Sequence, residues 1–189
     1  MRILGVDPGS LVTGYGVIDA EGRTMRRVAS GVVVLKSTDP MPQRLARIYE
    51  GLRSVILETG PDAFSIETAF YGKNVQSTLK LGQVRGVAIL AAMHHDLIVR
   101  EFSPREVKRA VSGTGAASKQ QIAYMVRVML SIEDAFTHSD EADGLALAIC
   151  SAVTQEHHGT TPAGKGTGRA GTSATWEDFI RNNPGRVKV

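Results

Sequence analysis

Four acidic residues lie where the ends of predicted elements would bring them together. Asp7 ends the first predicted strand, Glu67 ends the fourth, and Asp140 and Asp143 lie three residues apart in the first turn of the last predicted helix. Ligands of open α/β sheets bind beyond the carboxyl ends of parallel strands, so neighbouring parallel strands would bring Asp7 and Glu67 to one rim. Four converging carboxylates repel one another, and a divalent cation that prefers hard oxygen ligands removes that repulsion. The pattern predicts a Mg²⁺ or Mn²⁺ site.

Most of these acids also have an ordinary structural interpretation. The segment Asp7-Pro8-Gly9 is typical of a plain turn. Acids in the first turn of a helix, such as Asp140 and Asp143, are favoured by the helix dipole. Glu67 is harder to explain in this way, because the rest of its strand is predicted to be buried. The prediction of a metal site therefore depends on the four acids as a set.

The hydrophobic periodicity predicts the elements that must position these acids. Strands are predicted over residues 2–6, 13–19, 28–35, 63–67 and 97–102. Helices are predicted around 45–56 and 76–95, and after the capping residues Ser103, Ser118 and Ser139. The first three strands follow one another through turns, which favours antiparallel pairing, whereas the later strands alternate with helices. The predicted fold class is α/β, with a mixed five-stranded sheet, three antiparallel strands followed by parallel ones, and helices on both faces.

Length and composition indicate one globular domain with a tail. The chain has 189 residues, and we expect a domain over residues 1–155 and a flexible, Gly/Thr-rich tail over residues 156–189. The single cysteine, Cys150, cannot form an internal disulfide. No apolar run is long enough for a signal peptide or a membrane span, so the predicted compartment is the cytoplasm.

Several motifs occur along residues 1–155 in an order that resembles the RuvC family of Holliday-junction resolvases. The motifs are Ile3-Leu4-Gly5-Val6-Asp7-Pro8-Gly9-Ser10, Thr13-Gly14-Tyr15-Gly16, Ile66-Glu67, Lys73-Asn74, Leu79-Lys80-Leu81-Gly82-Gln83-Val84-Arg85-Gly86 and Ala142-Asp143-Gly144-Leu145-Ala146. The resemblance implies a ribonuclease-H-like fold and a homodimer. It also implies Mg²⁺-dependent nicking of two opposed strands of a four-way DNA junction in recombination and repair. A branch-migration motor complex is the partner that it implies.

By the same resemblance, Asp7, Glu67, Asp140 and Asp143 are the expected catalytic metal ligands. The mechanism expected is two-metal phosphodiester hydrolysis that leaves a 5′-phosphate and a 3′-hydroxyl, with two ions roughly 3.5–4 Å apart and Asp7 bridging them. Some relatives use a histidine as the third ligand, and His138 lies nearby. Asp140 is predicted instead, because its spacing to Asp143 matches and His138 precedes the helix cap.

Basic and aromatic residues near the predicted rim are candidate DNA contacts. The chain has 22 basic and 19 acidic residues, and without the four candidate ligands 15 acids remain, so metal loading favours phosphate binding. The resemblance implies that Phe70 stacks on a base and that Lys108 and Lys119 lie near the scissile phosphate. The other candidates are Tyr71, Lys73, Lys80 and Arg85. Each basic residue could equally be a solvated helix residue, which we prefer for Arg105 and Arg109, and Phe70 could instead pack on the core.

The helix predicted over residues 76–95 is a candidate dimer contact. Its small residues would let another helix approach closely: Gly82, Gly86, Ala88, Ala91 and Ala92. Packing within the monomer is the alternative. We expect a dimer because a two-fold junction requires two symmetric cuts.

Three other functions are compatible with parts of this pattern. A related nuclease could act on structured RNA or an RNA–DNA hybrid. An actin- or sugar-kinase-like ATPase also ends its first strand in an Asp-x-Gly loop, but it needs a second copy of the fold, for which this chain is too short. A junction-binding protein without catalysis would gain nothing from four acids that repel phosphate.

Overall fold

The computed structural model describes residues 1–68 and 74–159, with side chains described up to residue 155. Phe70, Tyr71 and Lys73 lie outside the described residues, as does the tail beyond residue 159. The domain boundary at residue 155 and the predicted flexibility of the tail therefore stay predictions. Among the described residues, no helix is both long enough and apolar enough to cross a membrane.

The sheet has five strands in the order β3-β2-β1-β4-β5. The strands are β1 Arg2–Asp7, β2 Val12–Glu21, β3 Thr24–Val34, β4 Ala63–Glu67 and β5 Ile98–Phe102. β2 pairs antiparallel with β1 and with β3. β4 pairs parallel with β1 and with β5. This arrangement confirms the predicted mixed sheet, in which β1 joins the antiparallel half to the parallel half.

The β2–β3 hairpin is longer than the sequence pattern predicts. The predicted strands end at residue 19 and begin again at residue 28, but pairing continues to Glu21 and Thr24. Gly22 adopts a φ of 53°, which permits the two-residue turn that this register requires. Polar residues of β3 therefore extend the strand backward from the predicted start at residue 28.

Five helices cover the two faces of the sheet within the described residues. They are α1 Met41–Thr59, α2 Val75–Met93, α3 Pro104–Ser112, α4 Lys119–Leu130 and α5 Ser139–Gly159. Capping boxes at Ser103 and Ser118 start α3 and α4 as predicted. α5 begins at Ser139 itself and continues four residues beyond the predicted domain boundary.

Strand alternation places two large hydrophobic clusters on opposite faces of the sheet, and the described residues also form a small third cluster of Phe102, Leu147 and Cys150. Leu4, Val6 and Phe64 belong to the cluster that includes the buried residues of α1 and α2. Ile3 and Ile18 belong to the cluster formed with α4 and α5. Because successive side chains of a strand point to opposite faces, Asp7 shares the α5 face with Ile3. The burial pattern of β1 thus directs its terminal acid toward α5.

Candidate active site

Asp7 and Glu67 lie at the same end of two neighbouring parallel strands. The register of β1 and β4 ends at the pair Val6 and Ile66, so each acid is the next residue of its strand. Phe64 and Ile66 are buried in the α1–α2 cluster. By strand alternation Glu67 therefore points to the opposite face, which is also the face of Asp7. The sheet brings these two acids together as predicted.

The N-terminal part of α5 lies directly against the sheet at positions that lack side chains. A Cβ atom at Gly14 would lie 2.0 Å from the carbonyl oxygen of Asp140, and one at Gly5 would lie 2.1 Å from that of Gly144. A Cβ atom at Gly144 would lie 2.6 Å from the backbone of Tyr15. Contacts this close mean that a larger residue at any of these positions would force the backbones of α5 and the sheet apart. The glycines therefore set the distance between α5 and the sheet.

This close packing brings the two α5 acids to the rim. Carboxylate oxygens of Asp7, Asp140 and Asp143 lie within 4.8 Å of one another. Asp7, Glu67 and Asp143 line a cavity of about 330 Å³ together with Lys108 and Lys119. Three carboxylates at this spacing form a group able to hold a hard cation.

Burial and mutual repulsion disfavour the charged forms of the clustered acids. Burial, followed by the charges of Asp143, Glu67 and Asp140, raises the pKa of Asp7 to about 7. Burial and the charge of Asp143 also raise the pKa of Glu67 above its usual range. An acid cluster that holds protons so strongly is one whose ionised form a cation would stabilise.

Lys119 supplies one positive charge at this cluster. It is the first residue of α4, where the Ser118 capping box fixes the start of the helix. Its Nζ lies 2.6 Å from Oδ2 of Asp143. This contact raises the pKa of the Lys119 amine. Burial nevertheless keeps the pKa of Asp143 above its usual value, so the lysine compensates the desolvation only in part.

The other predicted site residues occupy different positions around the rim. Lys108 on α3 lines the cavity, whereas Lys80 on α2 is exposed. Arg85 is engaged within the protein: its Nε donates to the Glu67 carbonyl oxygen at 3.0 Å and its Nη2 lies 2.5 Å from Oε2 of Glu101. His138 is exposed just before α5 and is not a member of the carboxylate group. The predicted DNA contacts at Phe70, Tyr71 and Lys73 lie outside the described residues.

Two features of the site were not predicted from the sequence. Glycines such as Gly14 and Gly144 occur in the motifs of the family resemblance, but their role in seating α5 was not inferred. A glycine inside a strand can mark close approach of another backbone, which is the signal that could have revealed them. No spacing pattern in the sequence predicts the hydrogen bond between Arg85 and the Glu67 backbone, because the two residues lie on different elements.

Comparison with known proteins identifies close relatives over most of the chain. The family model for crossover junction endodeoxyribonuclease RuvC matches residues 3–151. The RuvC of Chloroherpeton thalassium is 46% identical over 184 residues, which cover 97% of both chains. The RuvC of Photorhabdus laumondii is 52% identical over 147 residues, 78% of this chain and 84% of the relative. The structure of T. thermophilus RuvC in complex with Holliday junction substrate superposes with a TM-score of 0.79 at 30% identity, covering 84% of this chain and 96% of that one.

The mixed sheet with acids at the rim of its parallel strands defines a ribonuclease-H-like α/β domain. Within that class, the family match and the relatives extend over nearly the whole chain. The chain belongs to the RuvC family of crossover junction endodeoxyribonucleases, which confirms the resemblance.

Proposed function

We propose that the protein is a divalent-metal-dependent endonuclease that resolves four-way DNA junctions by paired nicks in recombination and repair. The observation that carries this proposal is the convergence of Asp7, Asp140 and Asp143 within 4.8 Å, beside a cavity that Asp7, Asp143 and Lys119 line. The aspartates could bind a cation, and the Lys119 ammonium beside them could bind a phosphate. The solved junction complex of the T. thermophilus relative supports the choice of substrate.

The donor set fits Mg²⁺ or Mn²⁺. The described members of the group offer carboxylate oxygens alone, which are the ligands that these hard cations select. We propose Asp7, Glu67, Asp140 and Asp143 as the ligands of two ions, with Asp7 shared between them. When bound, such ions supply a water of lowered pKa and stabilise the leaving 3′ oxygen of a phosphodiester.

The side chains of this chain have separate tasks in that reaction. Burial and the charges of all three other acids raise the pKa of Asp7, which makes it the candidate for the shared ligand. Lys119 and Lys108 present ammonium groups to the cavity, where they can stabilise charge that develops on the phosphate. Hydrolysis in this arrangement leaves a 5′-phosphate and a 3′-hydroxyl.

The exposed face of α2 is proposed to bind a second copy of the chain. Its apolar side chains include Val75, Leu79, Leu90 and Met93, which are between 47% and 69% exposed. Apart from the backbone of α2 itself, no atom of the described residues lies within 4 Å of a Cβ built at Gly82 or Gly86 on the same face. A helix with this spacing of apolar and small residues matches its own copy across a two-fold axis. Two sites related by that axis would cut a two-fold junction symmetrically. A branch-migration motor partner stays a prediction of the resemblance.

The test is cleavage of a synthetic mobile four-way junction that is end-labelled in turn on each strand. Wild-type protein with Mg²⁺ or Mn²⁺ should give paired nicks on opposed strands, with ends that ligase rejoins. Asp7→Asn should abolish the nicks and keep junction binding. Binding without cleavage in either metal would indicate a junction-binding protein instead. Cleavage of an RNA–DNA hybrid alone would keep the metal site and overturn the substrate, and ATP binding would favour the kinase-like alternative.

A further inference from the structure

Arg85 on α2 connects three elements at the end of β4. Its Nε donates a hydrogen bond to the backbone carbonyl oxygen of Glu67 at 3.0 Å. Its Nη2 forms an ion pair with Oε2 of Glu101 on β5 at 2.5 Å. The Arg85 side chain is only 19% exposed, so it is held against the protein at this point.

Among the described residues, the end of β4 pairs with β5 but not with β1. The pairing of β1 with β4 stops at Val6 and Ile66. On the other side, Glu67 pairs with Phe102 of β5, and the Thr68 N–H donates to the Phe102 carbonyl at 2.9 Å. Glu67 thus lies beyond the last contact with the strand that carries Asp7. The bond from Arg85 is a further constraint on its backbone at this position.

We propose that Arg85 is a positioning residue for Glu67, and that Glu101 acts through Arg85 by fixing the plane of its guanidinium. This inference rests on the proposed metal-dependent function. Because Arg85 binds the backbone, both carboxylate oxygens of Glu67 stay available to the cavity. A ligand residue has to be held within about 0.5 Å of its working position.

Electrostatics at the rim explains why Glu67 needs such a constraint. Glu67 lines the same cavity as Asp7 and Asp143, and like charges gathered in one cavity repel one another. An ionised Glu67 is therefore repelled from the acids that it has to join. A backbone fixed by Arg85 opposes that displacement before a cation is bound. A guanidinium presents its donors in a rigid fork, which a lysine ammonium cannot reproduce.

The test compares Arg85→Lys, Arg85→Gln and Glu101→Gln with wild type in three measurements. These are direct Mn²⁺ binding by electron paramagnetic resonance of the free ion, junction binding in Ca²⁺ at several salt concentrations, and single-turnover cleavage at saturating junction. Positioning predicts weaker Mn²⁺ binding and slower cleavage by about 10- to 100-fold for both Arg85 variants. Glu101→Gln should also weaken Mn²⁺ binding and slow cleavage, but by a smaller factor than the Arg85 variants. Junction affinity and its salt dependence should be unchanged for Arg85→Lys.

The matched control is the Arg53–Glu50 ion pair on α1, whose closest N and O atoms lie 3.3 Å apart. Arg53→Lys and Glu50→Gln should leave Mn²⁺ binding and cleavage at the wild-type level. Arg85 variants that lower the melting temperature yet keep wild-type Mn²⁺ affinity when folded would reduce Arg85 to a structural residue. A salt dependence of junction binding that falls by about one contact in Arg85→Gln, with normal Mn²⁺ binding, would make it a phosphate contact. If wild type binds Mn²⁺ but cuts no junction, the proposed substrate fails, while the Mn²⁺ comparison still decides the role of Arg85.

Discussion

Asp7 is the residue on which the charges of the site converge. It ends β1 on the α5 face, and its pKa is raised to about 7, first by burial and then by Asp143, Glu67 and Asp140. Lys119 lowers that pKa but does not restore the usual value. The folded chain therefore stabilises a proton on Asp7 at neutral pH in the absence of a cation. A proton and the proposed metal ion would compete for the same oxygens.

This competition predicts that Asp7→Asn stabilises the metal-free protein at high pH. The ordinary pKa of an aspartate carboxyl is 3.8, whereas the pKa of Asp7 in the folded state is about 7. The folded state therefore binds more protons than the unfolded state between these values, and stability falls as the pH rises from about 4 through about 7. The neutral amide removes this loss. We expect the variant to be more stable above pH 7 by up to about 4 kcal/mol, with the difference vanishing near pH 4.

Urea unfolding in EDTA between pH 4 and pH 8 measures this effect. Glu133→Gln, which removes an exposed acid outside the site, should show no such crossover. Adding Mn²⁺ at pH 8 should reverse the order, because a ligand that binds only the folded state stabilises it. A wild-type protein that is more stable than Asp7→Asn in EDTA at pH 8 would contradict the raised pKa.

The four acids could be predicted from the sequence, whereas their precise surroundings could not. Asp7 and Glu67 end strands, and Asp140 and Asp143 share a helix face, so the pattern predicts one rim if the two strands are parallel neighbours. The contact of Lys119 with Asp143 and of Arg85 with Glu67 joins separate elements. Such contacts depend on crossing distances and side-chain directions, about which spacing along the chain carries no information.

At the scale of elements, the contact between α5 and the sheet decides the geometry of the site. α5 carries two of the four acids, and it touches β1 and β2 at Gly5, Gly14 and Gly16. The order of elements and the mixed pairing were predicted, because hairpin turns and alternating helices leave clear patterns. The depth at which α5 sits was not predicted, because hydrophobic periodicity gives the face of a helix but not its distance from a sheet.

Gly14→Ala should displace the α5 acids from Asp7. A Cβ atom at this position would lie 2.0 Å from the Asp140 carbonyl oxygen, so the backbone of α5 has to move. A displacement of about 1 Å at reacting groups can cost about 100-fold in rate. We expect cleavage to fall by about that factor and Mn²⁺ binding to weaken in parallel. Single-turnover cleavage and Mn²⁺ titration of the folded variant measure the two effects.

Gly31→Ala is the matched control on the neighbouring strand β3. A Cβ atom there would meet the Tyr15 hydroxyl at 2.7 Å, the far end of a side chain that can turn aside. This variant should keep metal binding and cleavage within about twofold, since only a flexible neighbour has to adjust. If both variants lost cleavage and Mn²⁺ binding equally, the stability of the sheet would determine activity, and not the close packing of α5.

At the scale of the whole molecule, the apolar face of α2 predicts a dimer. Two charged substitutions on this face should dissociate it. Leu79→Glu with Leu90→Glu would place two carboxylates on this face. We expect a monomer by sedimentation velocity, and single nicks in place of paired cuts on a cruciform plasmid. Leu57→Glu on α1 is the control, because Leu57 and Leu79 are each 60% exposed. A wild-type monomer at working concentration would contradict the proposed dimer.

The proposed domain boundary predicts that the chain can be shortened without loss of chemistry. The acids, the two cavity lysines and all three hydrophobic clusters lie within the described residues up to 155. A protein ending at residue 159 should unfold with the same midpoint as the full chain. It should also nick a synthetic junction at the same single-turnover rate. A lower rate with unchanged stability would give the tail a role in the reaction.

The close packing of α5 on the sheet has a consequence for how sequences of this family can change over evolutionary time. The separation of α5 from β1 and β2 is limited by backbone atoms in contact, and backbone is common to every sequence. This backbone contact does not depend on the size of the apolar side chains on either side of the sheet. It therefore persists when those side chains are substituted, provided that the glycines are kept. The core can therefore drift widely while the spacing of the acids is inherited unchanged. Adaptation to a new growth temperature would then involve core residues whose substitution leaves the spacing of the acids unchanged.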